Sequence, residues 1–291
     1  MPAKEDRLMN TANPTIPWPR KLGISILLLI CGLVVFFFGS NYFSIFPTND
    51  SQLFRILISA AFLAAALFLR RKEATKPYSH IAYAFFIGMF VTFMTSLTLD
   101  LRASMLSGIP IGTSRYEAFS KLFEVVLVVV VILILNALWG QSLGSLYIRK
   151  GRLALGLFVG ICLLLINTAT GIVTGAALGT PGEALISKLP WVLLFSLANS
   201  FMEELWLRGL FLRRFTAVIG VGASIVVTSI IFTVMHAAAE YMDPIQTILF
   251  QVVLLPMALL LAYLMHKTDS IWGSVLYHAG SDAFMFYLMG W

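Results

Sequence analysis

The sequence predicts an all-α polytopic membrane protein with eight or nine transmembrane helices. Three observations predict it. Of the 291 residues, 59% are hydrophobic and 12% charged, whereas a soluble domain is about half apolar and about a quarter charged. The apolar residues fall into nine runs, and most approach the ~20 residues that a helix needs to cross the hydrocarbon core. Lys and Arg gather in the short segments between runs. The formal net charge of +6 therefore reads as a membrane orientation signal rather than a nucleic-acid footprint.

Residues 1–21 are polar and carry Pro2, Pro14, Pro17 and Pro19. No short apolar region with a small-residue cleavage site follows them, so they read as a cytoplasmic tail rather than a cleaved signal. The spans are placed at 22–44, 53–69, 81–99, 119–138, 153–178, 187–210, 218–239, 245–265 and 270–290. The sixth stays mostly apolar beyond its limit, as far as Phe215. Arg20 and Lys21 precede the first span, and Arg70, Arg71, Lys72 and Lys76 follow the second. Arg149, Lys150 and Arg152 follow the fourth, Arg213 and Arg214 the sixth, and Lys267 the eighth. The positive-inside rule then puts the N-terminus in the cytoplasm. Segment 100–121, with Arg102, Arg115 and Lys121, is the exception on the outer side. There is no internal repeat, and the chain divides into the tail 1–21, N-terminal helices 22–150 and a core 151–291 with its motifs in 200–285. Cys31 and Cys162 lie inside apolar runs, which fits neither a disulfide framework nor a cysteine metal site.

Ionisable groups inside a bilayer cost several kcal/mol, so those a span retains carry most of the information. Glu124, Glu203, Glu204, Asp282, His236 and His278 fall in or near apolar runs. Glu124 follows Lys121 near a span start and reads as interfacial. Glu240 stands at a span end beside Tyr241 and Asp243 and reads the same way. His80 and His266 sit at span ends where the interface can solvate them. In Glu203-Glu204-Leu-Trp-Leu-Arg208, the residues Glu204 and Arg208 share one face of an α-helix and can pair. Glu203 lies about 100° away around that helix and is left to face a cavity. His278 and Asp282 are also four apart, so the carboxylate can fix the imidazole tautomer.

Three of the last four spans thus bring acids and imidazoles to membrane depth. The set has no nucleophile beside a base, no G-x-S-x-G elbow and no H-E-x-x-H helix. A glutamate in an apolar pocket beside an imidazole can activate water, and a second imidazole can stabilise the oxyanion of a hydrolysed amide. Equally, Glu203, His236 and His278 can hold a divalent metal such as Zn²⁺ with an open water position. The sequence leaves both open.

Glu203-Glu204-x-x-x-Arg208, Phe232-x-x-x-His236 and His278-x-x-x-Asp282, in that order on late membrane helices, resemble the CPBP intramembrane proteases. This is the CAAX-protease and bacteriocin-processing, or Abi, family, which includes the type II CAAX prenyl endopeptidases. The resemblance covers roughly 185–291. It implies an intramembrane endopeptidase acting on a membrane-associated or lipidated peptide or protein. It implies Glu203 as the water-activating base assisted by His236, and His278 with Asp282 at the oxyanion. Glu204, Arg208 and Phe232 would orient the cluster, with Zn²⁺ or no cofactor. The prenyl-protease members have Asn where this chain has Asp282, and an ionised Asp is a poor oxyanion donor. The family's breadth points to a bacterial cell membrane. The partners expected are membrane lipids and a peptide substrate, with no nucleic acid; oligomeric state is not readable. A secondary transporter with a Glu/His/Asp proton relay is the rival class, although no inverted repeat accompanies it. A catalytically silent scaffold with intact motifs is the second rival.

Overall fold

The computed structural model describes residues 16–40, 47–239 and 244–289, and these hold no β-strand. Residues 1–15 of the expected tail and Glu240 lie outside the described residues. The helices are α1 (Trp18–Gly32, continued by a π-helical stretch Leu33–Phe38), α2 (Thr48–Leu69), α3 (Lys76–Leu97), α4 (Leu99–Met105) and α5 (Ser114–Leu138). Then come α6 (Leu153–Ala177), α7 (Gly182–Glu203), a π-helical turn (Glu204–Gly209) and α8 (Leu210–Ile219). The last are α9 (Val221–Ala239), α10 (Pro244–Thr268) and α11 (Trp272–Met289). Among the described residues, seven helices are long and apolar enough to cross a membrane, and Val221–Ala237 is a shorter apolar one. Large apolar side chains such as Phe158, Leu165, Val252 and Val253 are exposed on α6 and α10, as lipid-facing surfaces require. The protein is an all-α polytopic membrane protein.

Hydropathy locates the spans well, but it does not set helix ends. α2, α3 and α5 each begin about five residues before the apolar run, because a helix continues into the interface while its backbone is satisfied. Pro77 near the start of α3 costs no hydrogen bond there. Thr113 Oγ1 accepts the Tyr116 N–H at 3.2 Å and caps α5. α1 starts at Trp18, inside the segment read as tail. α4 was not expected.

The largest difference concerns the sixth span, expected to end at 210. The helical run Gly182–Ile219 has 38 residues, about 57 Å at 1.5 Å per residue. Arg213 and Arg214 are therefore not loop residues. Both are in α8 and buried, so they do not mark a membrane surface by themselves. The run stops at Gly220, whose φ of +79° with ψ of 167° is open essentially to glycine alone. α9 begins one residue later.

The chain forms two compact units. The first draws its described residues from Met1–Ser96, Val131–Leu146 and Trp206–Tyr263, and the second from Leu97–Val130, Tyr147–Leu205 and Leu264–Trp291. In the first, α3 is the central helix. Ile81, Tyr83, Ala84, Phe85, Ile87, Met89 and Val91 are all buried, on every face. Phe85 meets Phe211 at 4.8 Å between ring centroids, and Phe36 meets Phe211 at 5.6 Å.

In the second unit α11 packs along α6 and against α7. Glycines allow the backbones to touch, the usual device where lipid removes the hydrophobic drive. A Cβ on Gly273 would stand 2.8 Å from the Gly156 Cα, and one on Gly280 would stand 2.8 Å from the Leu163 carbonyl oxygen and the Leu164 Cα. Leu185, Val192, Ala283, Phe286 and Tyr287 close the far end. The loops before α6 and α11 are tied together: the Arg152 N–H donates to Thr268 O at 2.6 Å and the Ile271 N–H to Tyr147 O at 3.0 Å. Glu124, read as interfacial, lies 2.9 Å from Lys121 Nζ and 3.6 Å from Arg102, which accounts for a carboxylate at that depth.

Candidate active site

α7 ends in a polar stripe on an otherwise apolar helix. Ser196, Asn199, Ser200 and Glu203 stand at i, i+3, i+4 and i+7, which is one helix face, and all four are buried. α11 carries His278 and Asp282 one turn apart, so both project to one side. The packing of α7 on α11 brings these two faces together within the second unit.

His278 is the centre of the resulting cluster and is 2% exposed. Its Nδ1 lies 2.9 Å from Glu204 Oε1. Its Nε2 lies 3.4 Å from Asp282 Oδ1 and 3.7 Å from Glu203 Oε2. One imidazole thus faces three carboxyl groups. A ring proton on each nitrogen would serve both directions at once, since a neutral imidazole donates from only one. Glu204 is fully buried while Glu203 keeps 8% exposure, so Glu203 is the acid of the pair with access.

Asp282 is held from its other side. Its Oδ2 accepts from Asn199 Nδ2 at 3.0 Å and from Ser200 Oγ at 3.0 Å. Two donors on one oxygen, with an imidazole nitrogen near the other, is the environment of an ionised acceptor. Asn199 was not anticipated from the sequence. The signal was present: small polar residues three and four positions before Glu203, on its own face.

The segment after Glu203 departs from the expected α-helix. Glu204–Gly209 is π-helical, which places hydrogen bonds at i→i+5 and is frequent at functional sites. The α-helical azimuths assumed for Glu204 and Arg208 therefore need replacing by the contacts themselves. Glu204 reaches His278. Arg208, in the first unit, is fully buried, lies 4.2 Å from the Phe232 ring centroid and donates to the Ala258 carbonyl at 3.3 Å. The structure thus brings Arg208 and Phe232 together as a buried cation–π pair.

His236 is also in the first unit. Its Nδ1 is 2.9 Å from the Phe232 carbonyl, and its ring centroid is 4.5 Å from that of Phe232. A carbonyl only accepts, so Nδ1 carries the proton and the lone pair of the neutral ring is on Nε2. Among the described residues, no group of three or more His, Cys, Asp or Glu side chains is placed to hold a metal ion. In the second unit the nitrogens of His278 face carboxylates at 2.9–3.7 Å, which is hydrogen-bond and ion-pair spacing. The chemistry below runs through side chains.

Residues 185–284 match the family described as Type II CAAX prenyl endopeptidase Rce1-like. Over these residues the chain is similar to that family. The match runs from Leu185 in α7 to Phe284 in α11 and includes every candidate named above, Asn199 and Ser200 among them. Helices α1 to α6 lie outside the match. No curated protein and no solved structure matches the chain significantly.

Proposed function

We propose that this protein is an intramembrane endopeptidase that hydrolyses a membrane-associated or lipidated peptide with water activated by Glu203. The observation that carries the proposal is the hydrogen bond from His278 Nδ1–H to Glu204 Oε1 at 2.9 Å. It turns Nε2 toward the one acid of the pair that retains exposure. Glu203 takes a proton from water as the water oxygen bonds to the scissile carbonyl carbon. The carbonyl electrons move to oxygen, and the Nε2–H of His278 stabilises that oxyanion. On collapse the C–N bond breaks and the amine leaves with the proton returned by Glu203. His236 enters as the assisting imidazole that the resemblance implies.

Asp282 acts through His278. As an acceptor for Asn199 and Ser200 it is the wrong polarity for an oxyanion, but it fits a group that holds the imidazole in register. Asp282→Asn preserves one acceptor oxygen for Asn199 and Ser200, and it matches the Asn of the prenyl-protease members. It is expected to keep cleavage within about ten-fold of wild type, whereas Asp282→Leu should lose about 100-fold. Both are read from kcat and KM on a quenched membrane peptide, with the loss in kcat. Equal losses in the two variants would refute the positioning role.

The overall test is cleavage of a farnesylated peptide and its unlipidated counterpart by the purified chain, with His236→Ala as a second control. Cleavage of neither, together with proton-coupled uptake in liposomes, would overturn the proposal in favour of transport.

We also propose a cytoplasmic N-terminus. The support is that the loop carrying Arg149, Lys150 and Arg152 is tied to the loop after Lys267, so two basic segments share one end of the second unit. In a chain with Cys31 and Cys162 replaced by Ser, Lys150→Cys is expected to react with an impermeant maleimide in inverted vesicles. Labelling from outside intact cells would reverse the orientation.

A further inference from the structure

A second concentration of charge lies in the first unit, among groups that hydrolysis does not use. Arg214 is 2% exposed. Its guanidinium donates to the Leu210 carbonyl at 2.6 Å and to Asn136 Oδ1 at 2.8 Å, both neutral acceptors. The charged neighbour that acts on it is another cation, Arg213. Asn136 is fully engaged, since its Nδ2 also donates to the Gln141 and Ser142 carbonyls at 3.2 Å each. Taking a guanidinium out of water costs several kcal/mol unless an anion offsets it.

His80 belongs to the same cluster. It was expected to be solvated at a span end, but its Nδ1 accepts the indole N–H of Trp139 at 3.0 Å. The neutral ring then presents Nε2–H as a donor. The charges that act on His80 are Arg214, Lys76 and Arg70, all positive. Trp139 is stacked on Tyr83 at 4.0 Å, and the Arg70 guanidinium lies 4.6 Å from the Trp139 ring centroid. The Tyr83 hydroxyl donates to the Leu135 carbonyl at 3.0 Å, which fixes the stack. The acid beside this group is Glu73, 3.7 Å from Lys76, with an 88% exposed side chain. Solvent screens such a pair, so it does little for the buried cations.

We propose that Arg70, Lys76, His80 and Arg214 form a binding site for a phosphate group, presented by the headgroup of an anionic phospholipid. The set is one of donors, and guanidinium groups suit phosphate oxygens. It lies where α2 ends, α3 begins and α5 ends, with Trp and Tyr beside it, as expected at the headgroup level. Basic pockets between membrane helices recognise phosphate headgroups in this way. Occupancy would offset the burial of Arg214 and tie the ends of three helices together.

The test uses the full chain in neutral detergent, titrated separately with short-chain phosphatidylglycerol, short-chain phosphatidylcholine and inorganic phosphate, with thermal unfolding as the readout. Phosphatidylglycerol is expected to raise the unfolding temperature and to bind about ten-fold more tightly than phosphatidylcholine. Because Arg214 variants risk misfolding, the rim is tested instead. Arg70→Gln with Lys76→Gln should reduce the preference to about two-fold. Lys150→Gln with Lys267→Gln, an equal charge loss in the second unit, should leave it intact. Protection by phosphatidylglycerol alone assigns the group to lipid, and equal protection by inorganic phosphate assigns it to a soluble phosphate. No preference for either anion over phosphatidylcholine overturns the site, as does an equal effect of the two double variants.

Discussion

Glu203→Gln is expected to lower kcat about 1,000-fold, the upper part of the range for a positioned general base, with a folded and stable protein. The amide is isosteric with the carboxyl, so packing at the end of α7 is kept. It cannot accept a proton from water, so the attacking hydroxide is not formed. Substrate binding does not use that proton, and KM should stay within about three-fold, the signature of an interaction made only in the transition state. Glu204→Gln provides the contrast. Glu204 is fully buried and meets the far nitrogen of His278, so its loss should disturb imidazole orientation and cost about 10- to 100-fold. If Glu204→Gln were the more damaging of the two, the roles of the adjacent acids would have to be exchanged.

Gly280→Val should have the largest effect on stability, and it should remove activity without touching a reacting group. Gly280 lies between His278 and Asp282 in sequence, on the face of α11 that meets α6. Its Cβ would fall 2.8 Å from the Leu163 carbonyl oxygen, 2.8 Å from the Leu164 Cα and 3.2 Å from the Asn167 Cβ. The first two are backbone atoms and cannot swing aside, so the helices must separate. Overpacking of this kind costs about 1–3 kcal/mol. The displacement also carries His278 and Asp282 away from the α7 stripe, so cleavage should fall with stability. Gly182→Val, with nothing within 4 Å of its Cβ, is the control at the start of α7. Thermal unfolding in detergent and peptide cleavage measure both effects. A Gly280→Val protein with wild-type stability would show that α6 and α11 are not held by direct backbone contact.

The amino-acid sequence by itself determined the membrane class, the approximate spans and the pairing of His278 with Asp282. These depend on hydropathy, length and a four-residue spacing, which are local along the chain. It also singled out Glu203 and Glu204 as acids that an apolar helix would not otherwise keep. Tertiary structure decided what those groups touch. Spacing alone suggested Arg208 as a partner for Glu204, and it could not show the contact of Glu204 with His278, 74 positions away. Asn199 and Ser200 became visible as partners of Asp282 only when α11 was laid on α7. Arg213 and Arg214 looked like a loop boundary because charge usually ends a span, but both are buried in a helix that continues to Ile219, with Leu210 and Asn136 as acceptors for Arg214. The physical reason is common to these cases. Periodicity reports which residues share a face, while the partner opposite that face is supplied by a helix distant in sequence, and at Glu203 and Asp282 that partner sets the chemistry.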